Sequence, residues 1–148
     1  CKVNLKIYNK WTPFQSRGFL YFHFVKKTKI FGALFALISV IFGAINSHAL
    51  KKILPETAIE SIDISLRYMM YHGLALLIIS ILPLKEKKYI VNLFIIGILI
   101  FSFTILILSF QSIINIKVKF LGPLTPIGGS LLILGWILLL YRFIREKT

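Results

Sequence analysis

Tyr68-Met69-Met70-Tyr71-His72-Gly73-Leu74-Ala75-Leu76-Leu77 opens a stretch without charge that begins after Arg67 and ends before Lys85. The stretch is long enough to cross a bilayer as a helix, and it places a histidine about one turn from the start of that span. An ionisable group at such depth is costly, so by default it faces the protein interior and raises a question of function. The rest of the chain follows from this reading. Three further charge-free runs, residues 30–50, 89–116 and 120–141, supply the walls that give His72 somewhere to point.

A bilayer-spanning helix needs about 20 apolar residues, within a range of roughly 17–25. All four runs qualify, although residues 68–84 are short and residues 89–116 exceed the range and must tilt. The 148 residues are 57% hydrophobic, with a mean hydropathy of +0.85. An ordinary soluble domain carries roughly 45–50% apolar residues. No run alternates apolar with polar residues, which excludes a membrane barrel. The expected fold is all-α: an integral membrane four-helix bundle with spans at about 30–49, 67–84, 89–111 and 127–143. One domain holds residues 30–148, preceded by a basic aromatic segment over residues 1–29.

The net charge of +13 is distributed as membrane topology requires. Seven Lys or Arg precede the first run, three lie between the second and third, and three follow the fourth. Five occupy the intervening segments. Cationic segments stay in the cytoplasm, so both termini are expected inside, in the cell inner (plasma) membrane. No base-stacking or phosphate-cradling motif accompanies the charge, which argues against nucleic acid. The expected partners are the lipid bilayer and a second copy of the chain or another membrane protein.

Residues 1–29 allow two readings. Trp11, Phe14, Phe19, Tyr21, Phe22 and Phe24 can lie in the headgroup region with their lysines on anionic lipid. Alternatively, Val25-Lys26-Lys27-Thr28-Lys29 is the basic leader of the first span, Val25 an alternative start, and residues 1–24 not native. The lone cysteine, Cys1, forms no intrachain disulfide.

Small residues recur at helical spacing. Gly32 and Ala36, then Ser39 and Gly43, are expected to let a neighbouring helix approach closely, as are Gly97, Gly128, Gly129 and Gly135. Between the first two spans, Pro55-Glu56 can start a helix whose Ile59, Ile62 and Leu66 share one face. It is expected to lie along the outer surface as a short amphipathic helix before the chain turns inward at Arg67. Pro123 and Pro126 disfavour a helix interior, so the fourth span is expected to start at Ile127.

Under this topology the polar residues gather at one depth near the outer surface. Asn46, Ser47 and His48 close the first span, and Tyr68, Tyr71 and His72 open the second. Thr104, Ser109 and Gln111 lie on the outer half of the third, and Thr125 just outside the fourth. They form either a polar vestibule with two histidines, whose charge changes near physiological pH, or a set of cross-helix bonds worth about 0.6 kcal/mol each. No metal site is expected, because two histidines fall short of the ligand set of zinc. No cofactor and no catalytic residue are expected. No acid lies inside a span, and no Ser-His-Asp pattern is present. The expected function is a non-enzymatic structural or accessory membrane component, with a small oligomeric transporter or channel as the alternative.

Four motifs resemble those of the YgdD-like family of small four-span inner-membrane proteins of unknown function. They are Gly43-Ala44 with His48-Ala49-Leu50-Lys51, then Tyr71-His72-Gly73-Leu74-Ala75-Leu76-Leu77. Phe101-Ser102 follows, and Thr125-Pro126-Ile127-Gly128-Gly129 with Gly135-Trp136 completes the set. The likeness covers roughly residues 25–145. Asn46, Ser47, Met69 and Phe103 depart from it. It implies a four-helix bundle and no established activity, substrate or cofactor.

Overall fold

The computed structural model describes residues 13–84, 87–114 and 118–145. Four helices occupy them: α1 (Pro13–His48), α2 (Glu56–Ile81), α3 (Lys87–Ile114) and α4 (Leu124–Arg145). Short 3₁₀ turns at Leu50–Lys52 and Lys119–Leu121 lie in the two connections at one end. No strand occurs among the described residues. All four helices are long and apolar enough to cross a membrane.

Successive helices run antiparallel, and α1 packs on α2 as α4 packs on α3. The two pairs join along α2 and α3, which makes these the central helices and leaves α1 and α4 at the flanks. The main core fills this join with Phe35, Met69, Leu76, Ile79, Ile90, Phe94, Ile98 and Leu132. A smaller core of Leu50, Leu54, Ile59, Ile62 and Leu66 closes the end near His48.

Three expectations about element boundaries change. The amphipathic stretch after Pro55 is not a separate surface helix, because α2 continues unbroken from Glu56 to Ile81. Its apolar face, Ile59, Ile62 and Leu66, is buried in the smaller core, so packing removes any reason to break the helix at Arg67. The fourth helix starts at Leu124 and not at Ile127. Pro126 then falls in the first turn, where a missing N–H costs no hydrogen bond. Finally, α1 is already helical at Pro13, so the basic aromatic segment continues the first span. Thirty-six residues make a helix of about 54 Å, well beyond a hydrocarbon core of about 30 Å. Residues 1–12, with Trp11, lie outside the described residues.

The far end of α2 is closed by an unforeseen device. Lys87, the first residue of α3, is buried, and its Nζ donates to the carbonyls of Ile79, Ser80 and Leu82 at 3.2, 3.0 and 2.8 Å. The last carbonyls of a helix have no partner of their own. One ammonium group with three donors satisfies them and complements the helix dipole.

Glycines set the helix separations. A Cβ on Gly32 would meet the Gly73 carbonyl oxygen at 2.8 Å, and one on Gly73 would meet the Gly32 oxygen at 3.0 Å. Ala36 joins this contact through its backbone, since its nitrogen lies 3.2 Å from that position on Gly73. On the other pair, Gly128 admits the backbone of Phe101, Gly135 admits the Phe94 ring, and Gly97 admits Leu132. Gly43 faces open space and Gly129 is in ordinary contact with Phe101, so neither sets a helix separation. Ser39 is buried and donates to its own helix at Phe35 O, 2.8 Å.

Candidate functional site

The histidine of the opening motif sits at the meeting point of three helices. On α2, His72 Nδ1 lies 2.7 Å from the carbonyl oxygen of Tyr68, and Nε2 lies 3.1 Å from Trp136 Nε1 on α4. A carbonyl can only accept and an indole N–H can only donate. The pair of bonds therefore specifies the neutral imidazole with hydrogen on Nδ1. Around it, the Phe94 ring of α3 stands edge-on at 5.2 Å and Tyr68 stacks at 6.0 Å. Phe94 also contacts Trp136 at 5.2 Å, and Tyr68 contacts Phe101 at 4.9 Å. Both ring nitrogens of His72 are consumed in tying α2 to itself and to α4.

The structure places the ten residues of the expected vestibule at several depths. Asn46 on α1 donates from Nδ2 to the Ile59 carbonyl at 3.1 Å, whereas Gly32 meets Gly73. His72 is thus level with the opposite part of α1, about 24 Å along the axis from His48. The reason is the unbroken α2: its first eleven residues add to the span and carry His72 toward the other end. Tyr68 and His72 do come together. Ser109 and Gln111 share a groove of about 420 Å³ with Thr57 and Ser61, between α2 and α3. His48, Ser47 and Tyr71 are exposed, Thr104 is buried, and Thr125 lies in the first turn of α4.

Most hydroxyls in the spans are spent on their own helices. Ser47, Ser61 and Ser109 each donate to the carbonyl four residues earlier, at 2.8–2.9 Å. One pair crosses helices: Ser65 and Ser102 exchange hydroxyl-to-carbonyl bonds, 3.2 Å each way. Asn46 Oδ1 is the one buried side-chain acceptor without a protein partner among the described residues.

By sequence, Glu56, Glu60 and Asp63 read as a solvated helix face, and it is their depth that sequence reasoning missed. Glu56, Glu60, Asp63 and Arg67 follow one another along the exposed face of α2, with Asp63 and Arg67 forming an ion pair. Ser65 faces Ser102 and Tyr68 touches Phe101, so Arg67 is level with the middle of the third apolar run. On α1 it falls between the levels of Gly32 and Asn46. Flanking surfaces at these levels are apolar and exposed: Leu37, Val40 and Ile41 on α1, Phe103 on α3. Continuity of α2 places acids within a membrane-spanning helix, contrary to the expectation of none. The signal was present in sequence as the i, i+4, i+7, i+11 spacing of 56, 60, 63 and 67. Among the described residues no group of three or more metal-ligating side chains is present.

Known proteins match this chain over most of its length. A UPF0382 membrane protein of Haemophilus influenzae is 35% identical over 119 residues, covering 78% of this chain and 92% of the relative. UPF0382 membrane proteins of Staphylococcus aureus and Staphylococcus haemolyticus are 38% and 36% identical over 115 residues. Each pairing covers 75% of this chain and 89% of the relative. No solved structure matches. Residues 42–129 match the family described as a protein of unknown function, DUF423. The chain therefore belongs to the DUF423 family of uncharacterised membrane proteins.

Proposed function

We propose that this chain is a non-enzymatic structural or accessory component of the cell inner membrane, with both termini in the cytoplasm. One observation carries the reading. The buried polar groups His72, Ser65 and Ser102, well inside the spans, are bonded to other protein groups, which leaves none of these three to bind or turn over a substrate. The sidedness is supported by the basic residues at the Lys87 end of the bundle, following the positive-inside rule. The four motifs that resemble the YgdD-like proteins are the finer form of the family membership.

A second reading has its own support. Charges on a lipid-facing surface at mid-span are costly, and in known membrane proteins they face a water-filled path or a partner. The Asp63–Arg67 pair and the neighbouring groove at Ser61 and Ser109 suit a small transporter or channel in which α2 lines the path of an oligomer. Purified protein in liposomes separates the two. The accessory reading expects no ion or solute flux. A flux abolished by Asp63→Asn or Arg67→Gln would replace it with the transport reading. The sidedness fails if a membrane-impermeant reagent added outside tags Lys88 and spares Lys51.

A further inference from the structure

We propose that the Lys87 end of the bundle binds an anionic phospholipid, with its phosphate between Lys27 and Lys88 and an acyl chain along the α3–α4 groove. A cavity of about 570 Å³ opens there between α1 and α3, lined by Tyr21, Phe24, Lys27, Leu84, Lys88 and Asn92. Lys27 and Lys88 are exposed at its rim. Lys87 lies beneath, 3% exposed, with Nζ 5.4 Å from the Tyr21 ring centre. Its three protons are committed to carbonyls, so it lends the cavity positive potential and no further bond. Among the described residues no carboxylate lines the cavity, and Glu86 lies outside them.

Asn92 borders a second groove, of about 460 Å³, on the other side of α3. Leu93, Ile96 and Leu138 make it apolar, and Arg142 stands at its basic end. The levels agree. Gly135 meets Phe94, and Arg142 is seven residues past the one as Lys87 is seven before the other, so they lie at one height. Lys27, five residues before Gly32, falls beside Ile78 and thus near Ser80, where Lys87 is bonded. This height is where the charge-free run of α1 begins, at Ile30, and where headgroups meet hydrocarbon. Basic pockets between membrane helices at that depth hold anionic headgroups. A free phosphate would engage the lysines and leave the apolar groove unused. A lipid uses both halves of the site.

The test is native mass spectrometry of the full chain, purified in detergent and supplied with phosphatidylglycerol, phosphatidylcholine or inorganic phosphate. Phosphatidylglycerol is expected to be retained over phosphatidylcholine at equal mole fraction. Lys27→Gln with Lys88→Gln lowers that retention by roughly five-fold for each lysine. Lys51→Gln with Lys52→Gln, at the opposite end, leaves it unchanged. Leu138→Trp fills the apolar groove without altering charge and lowers it as well, which keeps the test open should the lysine variant fold poorly. Equal retention of the two lipids overturns the proposal, as does equal loss in the opposite-end variant. Displacement of phosphatidylglycerol by millimolar inorganic phosphate reduces the site to a bare anion site and overturns the lipid assignment.

Discussion

The two helix pairs use glycine in different ways. Where α1 crosses α2, Gly32 and Gly73 face one another, and each carbonyl oxygen lies within 3.0 Å of where the other's Cβ would be. Backbone meets backbone, and neither can yield. Where α3 crosses α4, Gly135 seats the ring of Phe94 and Gly128 seats the main chain of Phe101. Small residues do permit close approach in membranes. Here they also make room for aromatic rings, which then gather round His72. The first use sets a distance, and the second builds the hub that links α2, α3 and α4.

The difference can be broken most sharply by enlarging the glycines. Gly73→Leu is expected to abolish the α1–α2 crossing, read as loss of a monodisperse peak in detergent. Gly128→Ala puts a Cβ 2.5 Å from the Phe101 nitrogen and should cost about 1–3 kcal/mol in denaturant titration. Gly135→Ala should cost a similar amount, but Phe94→Leu in the same chain should recover part of it by removing the ring. No side-chain change can rescue Gly32→Ala fully, because the Gly73 carbonyl remains in place. A full rescue by Leu77→Ala would show that the crossing is held by side chains instead.

Smaller effects sharpen the comparison. Trp136→Phe removes the donor to His72 Nε2 and should lower stability by about 0.6–1.7 kcal/mol. Ser65→Ala with Ser102→Ala should cost about 0.6 kcal/mol for each bond lost. Gly43→Ala should be neutral or stabilise by up to about 1 kcal/mol, since nothing lies within 4 Å and alanine is the better helix former. A cost above that of Gly128→Ala would mean that Gly43 faces a partner.

Much of this was readable from residue order. The four spans and the antiparallel path follow from run lengths that water cannot tolerate and from charges that lipid cannot. Spacing points to Gly32, Gly128 and Gly135, and small size alone to Gly97, and each meets a neighbouring helix. Gly43 has the same spacing and does not. The signal fails there because a small residue permits contact without compelling it. Gly73 has no small residue three or four positions away to mark it, although a glycine inside a helix is costly and calls for a reason.

The site was less legible. The depth of everything after residues 56–66 depends on whether they lie on the surface or belong to the span, and the difference moves His72 by several turns. An amphipathic segment reads the same whether its apolar face meets headgroups or a helix, so no local pattern separates the two. Local pattern alone therefore puts Asn46, His48 and His72 at one depth, which packing separates. The partners of His72 lie 22 and 64 positions away in Phe94 and Trp136, beyond the reach of any spacing rule.

By itself, the order of residues determined that four apolar segments must form helices in lipid, because no other backbone arrangement of these runs satisfies its own hydrogen bonds there. It also determined which connections are basic. Only the tertiary structure decided that α2 is unbroken, that His72 is held by Tyr68 and Trp136, and that Lys87 closes the end of α2. Those outcomes depend on which faces meet, and steric fit between distant segments selects the faces that adjacent residues leave open.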